Sequence, residues 1–466
     1  MKKIHNLIQD TESDLVNFRF IDTLGLWHDI TYHASQVDED MIKNGFMFDG
    51  SSLPGWRPID NSDMILLPDT NTAQVDVFRD IHTINVICSV MDPQTNQLYA
   101  RDPRSTAIRA EYYLKKSGIA DEVRFGPEPE FFIFDNAQFS TNTENSFFKI
   151  TSSESPNNPH FKDFDKNLGH EPLNKQAYCA TAPRDLNADM RSNMLLAIQE
   201  SGVAIEKHHH EVAHSQHELG IKYASCLQSA DNVCIYKHVV KEVALSYQKT
   251  ATFMPKPLGN DNGSGMHVHQ SLYMKGKNLF IGDEYAGLSE TALYYIGGLL
   301  KHGKALNAFT NPTINSYRRL TPGFEAPTLA VYSARNRSAA CRIPHTTSPN
   351  ARRIEARFPD PAANPYLAFS AMLMAGLDGI RNKIHPGAHW EGNLYDLSQS
   401  EIDKLPSLAT SLDDALAALD QDRNFLTEGG VFTSDQIDAY IQIKKEEINA
   451  FNKVVTPGDF KLYYSC

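Results

Sequence analysis

The period of the hydrophobic pattern changes along the chain. In the first hundred residues apolar positions fall in short runs rich in β-branched and aromatic residues. Leu15 to Ile21, Ile30 to Tyr32 and Ile84 to Val90 read as strands, with turns such as Asp49-Gly50 between them. At Arg101-Asp102-Pro103 the pattern lengthens. A proline at a helix start, the run Ser105 to Lys116 and the following Gly118 predict a helix marked at both ends. Beyond it, strand-like Phe131 to Phe134, Met266 to Ser271 and Ile354 to Phe358 alternate with long amphipathic stretches. These predict helices over Asp231 to Lys249, Ser289 to Ala308, Pro365 to Ile380 and Ser434 to Asn452. The tract from Phe139 to Gln176, rich in Ser, Asn, Asp and Lys, predicts an exposed insertion rather than core. No fixed-period repeat is visible. The expected class is α+β, with a small β-rich N-terminal domain over 1–102 and a large second domain over 103–466.

Composition fits that plan. The chain has 466 residues, 41% hydrophobic and 22% charged, enough to bury a large core. A formal net charge of -13 argues against an electrostatic nucleic-acid binder, although local arginines could still serve a nucleotide. The purest apolar run, Leu367 to Leu377, is too short to span a bilayer, and the first residues hold no apolar stretch long enough for a signal peptide. Six cysteines without CxxC pairing suggest a reduced, cytoplasmic compartment.

The candidate chemistry lies in ionisable residues spaced two apart, which share one face of a strand. Glu128 and Glu130 precede an apolar strand; His267, His269 and Ser271 form a second set; Arg353, Glu355 and Arg357 form a third. Each set alone fits a solvated strand face. Together they suggest a wet cavity holding a cation, since neighbouring carboxylates repel unless a positive charge separates them. A fourth segment, Glu206-Lys-His-His-His-Glu211, is followed by Glu218. Strict alternation would place Glu206 and Glu211 on opposite faces, requiring different roles or a bend. Glutamates with a histidine suit Mg²⁺ or Mn²⁺. Arg319, Arg337, Arg342, Arg353 and Arg357 can recognise phosphate or carboxylate, or form surface ion pairs. There is no GxxxxGK[ST] loop, complete dinucleotide fingerprint or GxSxG elbow.

These segments resemble bacterial type I glutamine synthetase almost end to end. The resemblance rests on Met47-Phe-Asp-Gly-Ser-Ser52, Gly126-Pro-Glu-Pro-Glu-Phe131, His209-His-Glu-Val-Ala213 and Asn262-Gly-Ser-Gly-Met-His-Val-His269. It continues through Asn315-Ser-Tyr317, Pro322-Gly-Phe-Glu-Ala-Pro327, Ser333-Ala-Arg-Asn-Arg-Ser338 and the run from Arg353 to Tyr366. It implies a β-grasp-like N-terminal domain, and a catalytic domain whose antiparallel sheet forms the active-site cavity. It also implies ATP-dependent ligation of ammonia to glutamate through γ-glutamyl phosphate, with two Mg²⁺ or Mn²⁺ ions per site. Carried over, Glu130, Glu211 and Glu218 would hold one metal, and Glu128, His267 and Glu355 the other. Glu206, His269, Ser271, Arg337 and Arg342 would contact ATP. Asn262, Gly263, Arg319, Glu325, Arg337 and Arg357 would form the glutamate site. Asp49 and Glu325 would take the proton from ammonium, while Arg337 and Arg357 would stabilise transferred phosphate.

In that family the N-terminal domain completes a neighbour's site in a dodecamer of two hexameric rings. Tyr395 would be the tyrosine modified by an adenylyltransferase, although Ser398-Gln399 replaces the familiar Pro-Pro. Asn350 stands where some members have an ATP-contacting lysine, and Ala177-Tyr-Cys-Ala-Thr181 replaces a Gly-Gly-Tyr-Phe pattern. Two other readings remain: a γ-glutamyl ligase using another amine, and a catalytically silent homologue. Asp49 and Glu325 speak against the first, and the presence of all six metal ligands against the second.

Overall fold

Val16, Phe18 and Phe20 alternate with Asn17 and Arg19 in strand β1 (Leu15–Ile21), yet nearly every residue of that strand is buried. Both of its edges are paired: antiparallel to β2 (Trp27–His33) and parallel to β6 (Thr83–Asp92). Its buried polar residues are partnered. Arg19 donates to Asp76 and Asn17 to Asn85. In a computed structural model that describes residues 2–155, 169–170 and 175–465, these strands form one side of the first sheet. Its order is β2-β1-β6-β4-β3, with β4 (Asp63–Pro68) and β3 (Phe46–Asp49) on the far side. Two short strands, β5 (Gln74–Val75) and β7 (Gln97–Leu98), pair with β6. Helices α1 (Lys2–Asp10) and α2 (Glu39–Asn44) complete this part.

Helix α3 (Pro103–Ser117) starts and stops where the sequence marks it. The Asp102 carboxylate accepts from the Arg104 and Ser105 amides, and Gly118 ends the helix at φ 71°. Strand β8 (Glu122–Phe134) then begins the second sheet, whose order is β11-β12-β8-β14-β18-β17-β16. Its members are β11 (Ile205–His210), β12 (Gln216–Ile221), β14 (Met266–Met274), β16 (Tyr332–Ala334), β17 (Cys341–Ile343) and β18 (Ile354–Ala356). Strands β13 (Thr250–Thr252) and β15 (Lys277–Asn278) attach to β8 and β14. Among the described residues all its pairings but β16–β17 are antiparallel.

Six helices follow: α4 (Ala188–Glu200) and α5 (Cys226–Ser246) pack on the sheet, α6 (Glu290–Lys301) and α7 (Gly303–Thr310) pack on α9 (Pro365–Arg381), and the short α8 (Ser316–Arg319) lies between α7 and β16 in the chain. The apolar run in α9 is core: Leu367 to Leu377 is buried throughout. No helix among the described residues is long and apolar enough to cross a membrane.

The structure departs from the pattern in two places. The helix expected over Ser289 to Ala308 breaks at His302 between α6 and α7. The buried His302 ring lies between two acids, 2.6 Å from Asp422 and 3.0 Å from Asp378, and apolar periodicity carries no trace of those distant partners. The tract expected as an exposed insertion divides. Strands β9 (Asn136–Thr141) and β10 (Ser146–Thr151) form an exposed hairpin, but Ser152 and Glu154 just beyond it are buried. The rest of that tract over 156–168 and 171–174 lies outside the described residues.

Candidate active site

Register brings the site together. On β8, Glu128 faces His267 of β14, and Glu130 faces Glu218 of β12. On β14, His269 faces Glu355 of β18. A ligand atom from each of Glu128, His267 and Glu355 lies within 4.8 Å of the others, and the same holds for His209, Glu211 and Glu218. His209 is a member that the sequence reading did not assign. It belongs to a run of three histidines whose phase was unreadable without the pairing of β11. A register shift between Ile205 and Lys207 supplies the bend that separates Glu206 from Glu211. Glu130 lies beside the second group: its Oε2 accepts from the Gly265 amide at 2.9 Å and the Gln216 side chain at 2.8 Å.

The carboxylates fall into two electrostatic classes. Burial, and then the nearby charge of Glu211, pushes Glu130 up to about 8. Glu218 is likewise pushed well up by burial and by Glu128 and Glu211. Glu128 and Glu355 are buried too, but hydrogen bonds and neighbouring positive charge outweigh that effect. His269 holds Glu128 low, and Arg357 holds Glu355 well below the carboxylate range. Arg342 and Arg357 each donate to Glu355 at 2.6 Å. Burial and Arg357 push the His267 imidazole well down, so it is neutral and has a free lone pair. Arg353 donates to His269 Nδ1 at 3.1 Å; the ring's proton is therefore on Nε2, 3.4 Å from Glu128. Crowded carboxylates, a neutral imidazole and oxygen-rich groups fit divalent Mg²⁺ or Mn²⁺.

Two cavities are lined in part by these groups. The larger, about 660 Å³, is lined by Glu128, Glu206, His269, Ser271 and Asn350, and by Arg124 stacked on Tyr273 and near Tyr223. Asn350 presents its carbonyl to the Tyr273 hydroxyl at 3.2 Å. The smaller is lined by Glu130, Glu211, His267, Asn262, Gly263, Arg319, Glu325, Arg337 and Arg357. Gly263 cannot be replaced without a shift, because a Cβ there would come 2.3 Å from the Pro255 carbonyl. Arg319 lines the cavity while donating to the carbonyls of Phe358, Pro359 and Arg357. Glu325 is exposed, with φ 58°, and lies 3.4 Å from Arg337. Arg342 lines neither cavity; its Nη1 is committed to Glu355. Asp49 lines neither as well. It is exposed at the end of β3 and accepts from the Ser51 amide and hydroxyl. Tyr395 is half-buried with its hydroxyl 3.5 Å from the Ala326 carbonyl, beside Glu325. Ala177 is buried near this region, its amide donating to the Val212 carbonyl.

Comparison with known proteins decides the family. A family model described as "Glutamine synthetase, catalytic domain" matches residues 100–463, and one described as "Glutamine synthetase, beta-Grasp domain" matches residues 12–93. The chain belongs to the glutamine synthetase family. It is 54% identical to a glutamine synthetase of Rhizobium meliloti, covering 98% of each chain. It is also 54% identical to one of Vibrio cholerae, covering 100% of this chain and 99% of the relative. A solved glutamine synthetase of Plasmodium falciparum superposes with a TM-score of 0.91 at 31% identity, over 99% of this chain and 98% of the other. A GmaS/ADP complex superposes with a TM-score of 0.84 at 25% identity, over the full length of both. The expected β-grasp plus catalytic-domain fold holds, and the chain is a glutamate–ammonia ligase; ligation of another amine is not favoured.

Proposed function

We propose that the two ligand groups and two cavities form one ATP-dependent ligation site. Glu130, Glu211 and Glu218, with His209 beside them, would hold one Mg²⁺ or Mn²⁺ ion; Glu128, His267 and Glu355 would hold a second. Bound there, the cations would supply charge neutralisation to the phosphoryl group in transfer. ATP would lie in the larger cavity against Glu206, His269 and Ser271, with Arg337 of the smaller cavity toward its phosphates; Arg342, held on Glu355, would have to turn from it to reach them. Glutamate would lie in the smaller, among Asn262, Gly263, Arg319, Glu325, Arg337 and Arg357. The observation that carries this reading is the crowding of Glu130, Glu211 and Glu218, the first two of them lining an arginine-rich pocket.

The side-chain carboxylate of glutamate attacks the terminal phosphorus of ATP, and ADP leaves. Ammonia then attacks the acyl carbon of γ-glutamyl phosphate, and phosphate leaves. Arg337 and Arg357 stabilise charge on the transferred phosphate. Glu325, on its strained turn, closes over the intermediate and accepts a proton from ammonium. Asp49 shares that proton role from a neighbouring copy, which its exposure at the end of β3 supports. The exposed Phe139 and Phe148 of the β9–β10 hairpin, and Phe460, Leu462 and Tyr464 near the C-terminus, are apolar surface that assembly would cover. They support assembly of copies; the reading is of a dodecamer of two hexameric rings, its domains divided near residue 102, working in the cytoplasm. An adenylyltransferase acting on Tyr395 would have to draw its half-buried hydroxyl away from Ala326.

The test is glutamine formation from glutamate, ammonia and ATP, with hydroxylamine and small amines compared, before and after chelation of divalent cations. Turnover should need the cation and prefer ammonia. Undiminished turnover after exhaustive chelation would overturn the metal assignment.

A further inference from the structure

Behind the metal-facing side of β11 and β12 lies a second acid–imidazole group that the reaction does not use directly. Glu154, His210 and His217 are each fully buried, and a ligand atom from each lies within 4.8 Å of the others. By composition they could hold an ion, but the hydrogen bonds say otherwise. Arg191 of α4, itself fixed by Asp185, donates to His217 Nδ1 at 3.0 Å. Arginine can only donate, so His217 keeps its proton on Nε2, which faces the Glu154 carboxyl at 3.7 Å and has no lone pair for a metal. His210 points the other way along the same chain. Its Nδ1–H donates to the backbone carbonyl of Glu211 at 2.7 Å, while its Nε2 lies 3.2 Å from Glu154 Oε2. The other Glu154 oxygen accepts from the Leu186 amide at 3.0 Å.

We propose that Glu154 is a positioning residue, which sets the His210 ring against the Glu211 backbone and so fixes the Glu211 carboxylate toward its cation. Glu154, from the segment after β10, reaches the Glu211 carbonyl through His210 of β11, while Arg191 of α4 holds the neighbouring His217 ring. β11 ends at His210; beyond it the Glu211 amide donates to the Gln216 carbonyl at 2.8 Å, while the Glu211 carbonyl is taken by the His210 ring. An imidazole oriented by a carboxylate is how outer groups commonly tune a metal site, here reaching the ligand through its backbone.

This inference rests on the two-cation reading above. The test counts Mn²⁺ bound to the full-length assembled protein, from the electron paramagnetic resonance of free Mn²⁺, for wild type, Glu154→Gln and Glu154→Asp. Glu355→Gln identifies which binding class belongs to the other group. The expected result for Glu154→Gln is about tenfold or greater weakening of the class that Glu355→Gln leaves intact, with the remaining class unchanged. Glu154→Asp, which keeps the charge, should recover part of the loss; it is also the variant to read if Glu154→Gln does not fold. A lower melting temperature with both Mn²⁺ affinities unchanged would mean a purely structural role and would overturn the proposal. A wild type binding no Mn²⁺ would instead overturn the two-cation reading itself.

Discussion

Glu128 and Glu130 are two residues apart on one strand, yet their surroundings drive them in opposite directions. His269 holds the first low; burial and Glu211 push the second up to about 8. The spacing of the pair is readable in the sequence, but the divergence is not, because it comes from β14 and from Glu211 just past β11 rather than from β8. A pH dependence follows. In metal-free protein Glu130 keeps its proton in the folded state up to about 8, whereas the unfolded chain loses it near the ordinary value of 4.5. The folded state binds more protons across that window, so this group's contribution to stability is lost as pH rises through it. Glu130→Gln, whose amide oxygen can still accept from Gly265 and Gln216, has no such loss. The melting temperature of metal-free Glu130→Gln minus that of metal-free wild type should therefore grow between pH 5 and pH 8. Taking the difference cancels the buried histidines, which titrate in both proteins. Added Mn²⁺ should favour wild type, because an amide is the poorer ligand. A difference that stays flat or shrinks with pH would show that Glu130 is not held protonated.

Elements were legible where a local signal marks them. Asp102, Pro103 and Gly118 announce both ends of α3, and Asn364-Pro365 announces the start of α9. The break at His302 and the shift after Ile205 were hidden, since both depend on partners distant in sequence. The crossing of α6 and α9 is a further case. Gly298 lies in mid-helix, where glycine alone is merely unfavourable. In the fold it is required: a Cβ there would come 1.9 Å from the Ala375 carbonyl, and one on Gly379 would come 2.1 Å from the Tyr294 carbonyl. Both obstacles are backbone, so neither can rotate away. Gly298→Ala should force the helices apart and cost about 1–3 kcal/mol or more, seen as a lower thermal midpoint by circular dichroism. Gly259→Ala, where an added Cβ meets nothing within 4 Å, is the control and should leave the midpoint in place. If Gly298→Ala melts with the control, the close crossing does not limit stability.

At the scale of the whole molecule, everything in the site except one group comes from the chain beyond α3: from the second sheet, its loops and, for Arg319, helix α8. The exception is Asp49, on the N-terminal sheet and outside both cavities. No spacing rule could reveal its part, because a turn aspartate accepting from Ser51 is an ordinary local motif. If a neighbour supplies it, the contact is heterologous and closes into a ring, with each chain giving Asp49 to one site and taking it from another. That geometry can be tested without knowing the size of the ring. Asp49→Ala and Glu355→Ala chains are each expected to be inactive when assembled alone. Dissociated, mixed in equal amounts and reassembled, they form some sites in which an Asp49→Ala chain supplies an intact Glu355 and its Glu355→Ala neighbour supplies an intact Asp49. Random mixing makes such sites about a quarter of the total, so glutamine formation should return to roughly that share of wild type. If Asp49 instead served its own chain, every site would keep one lesion and the mixture would stay as inactive as its parts. Recovered turnover would place the proton acceptor across a subunit boundary; none would return it to the chain that carries it.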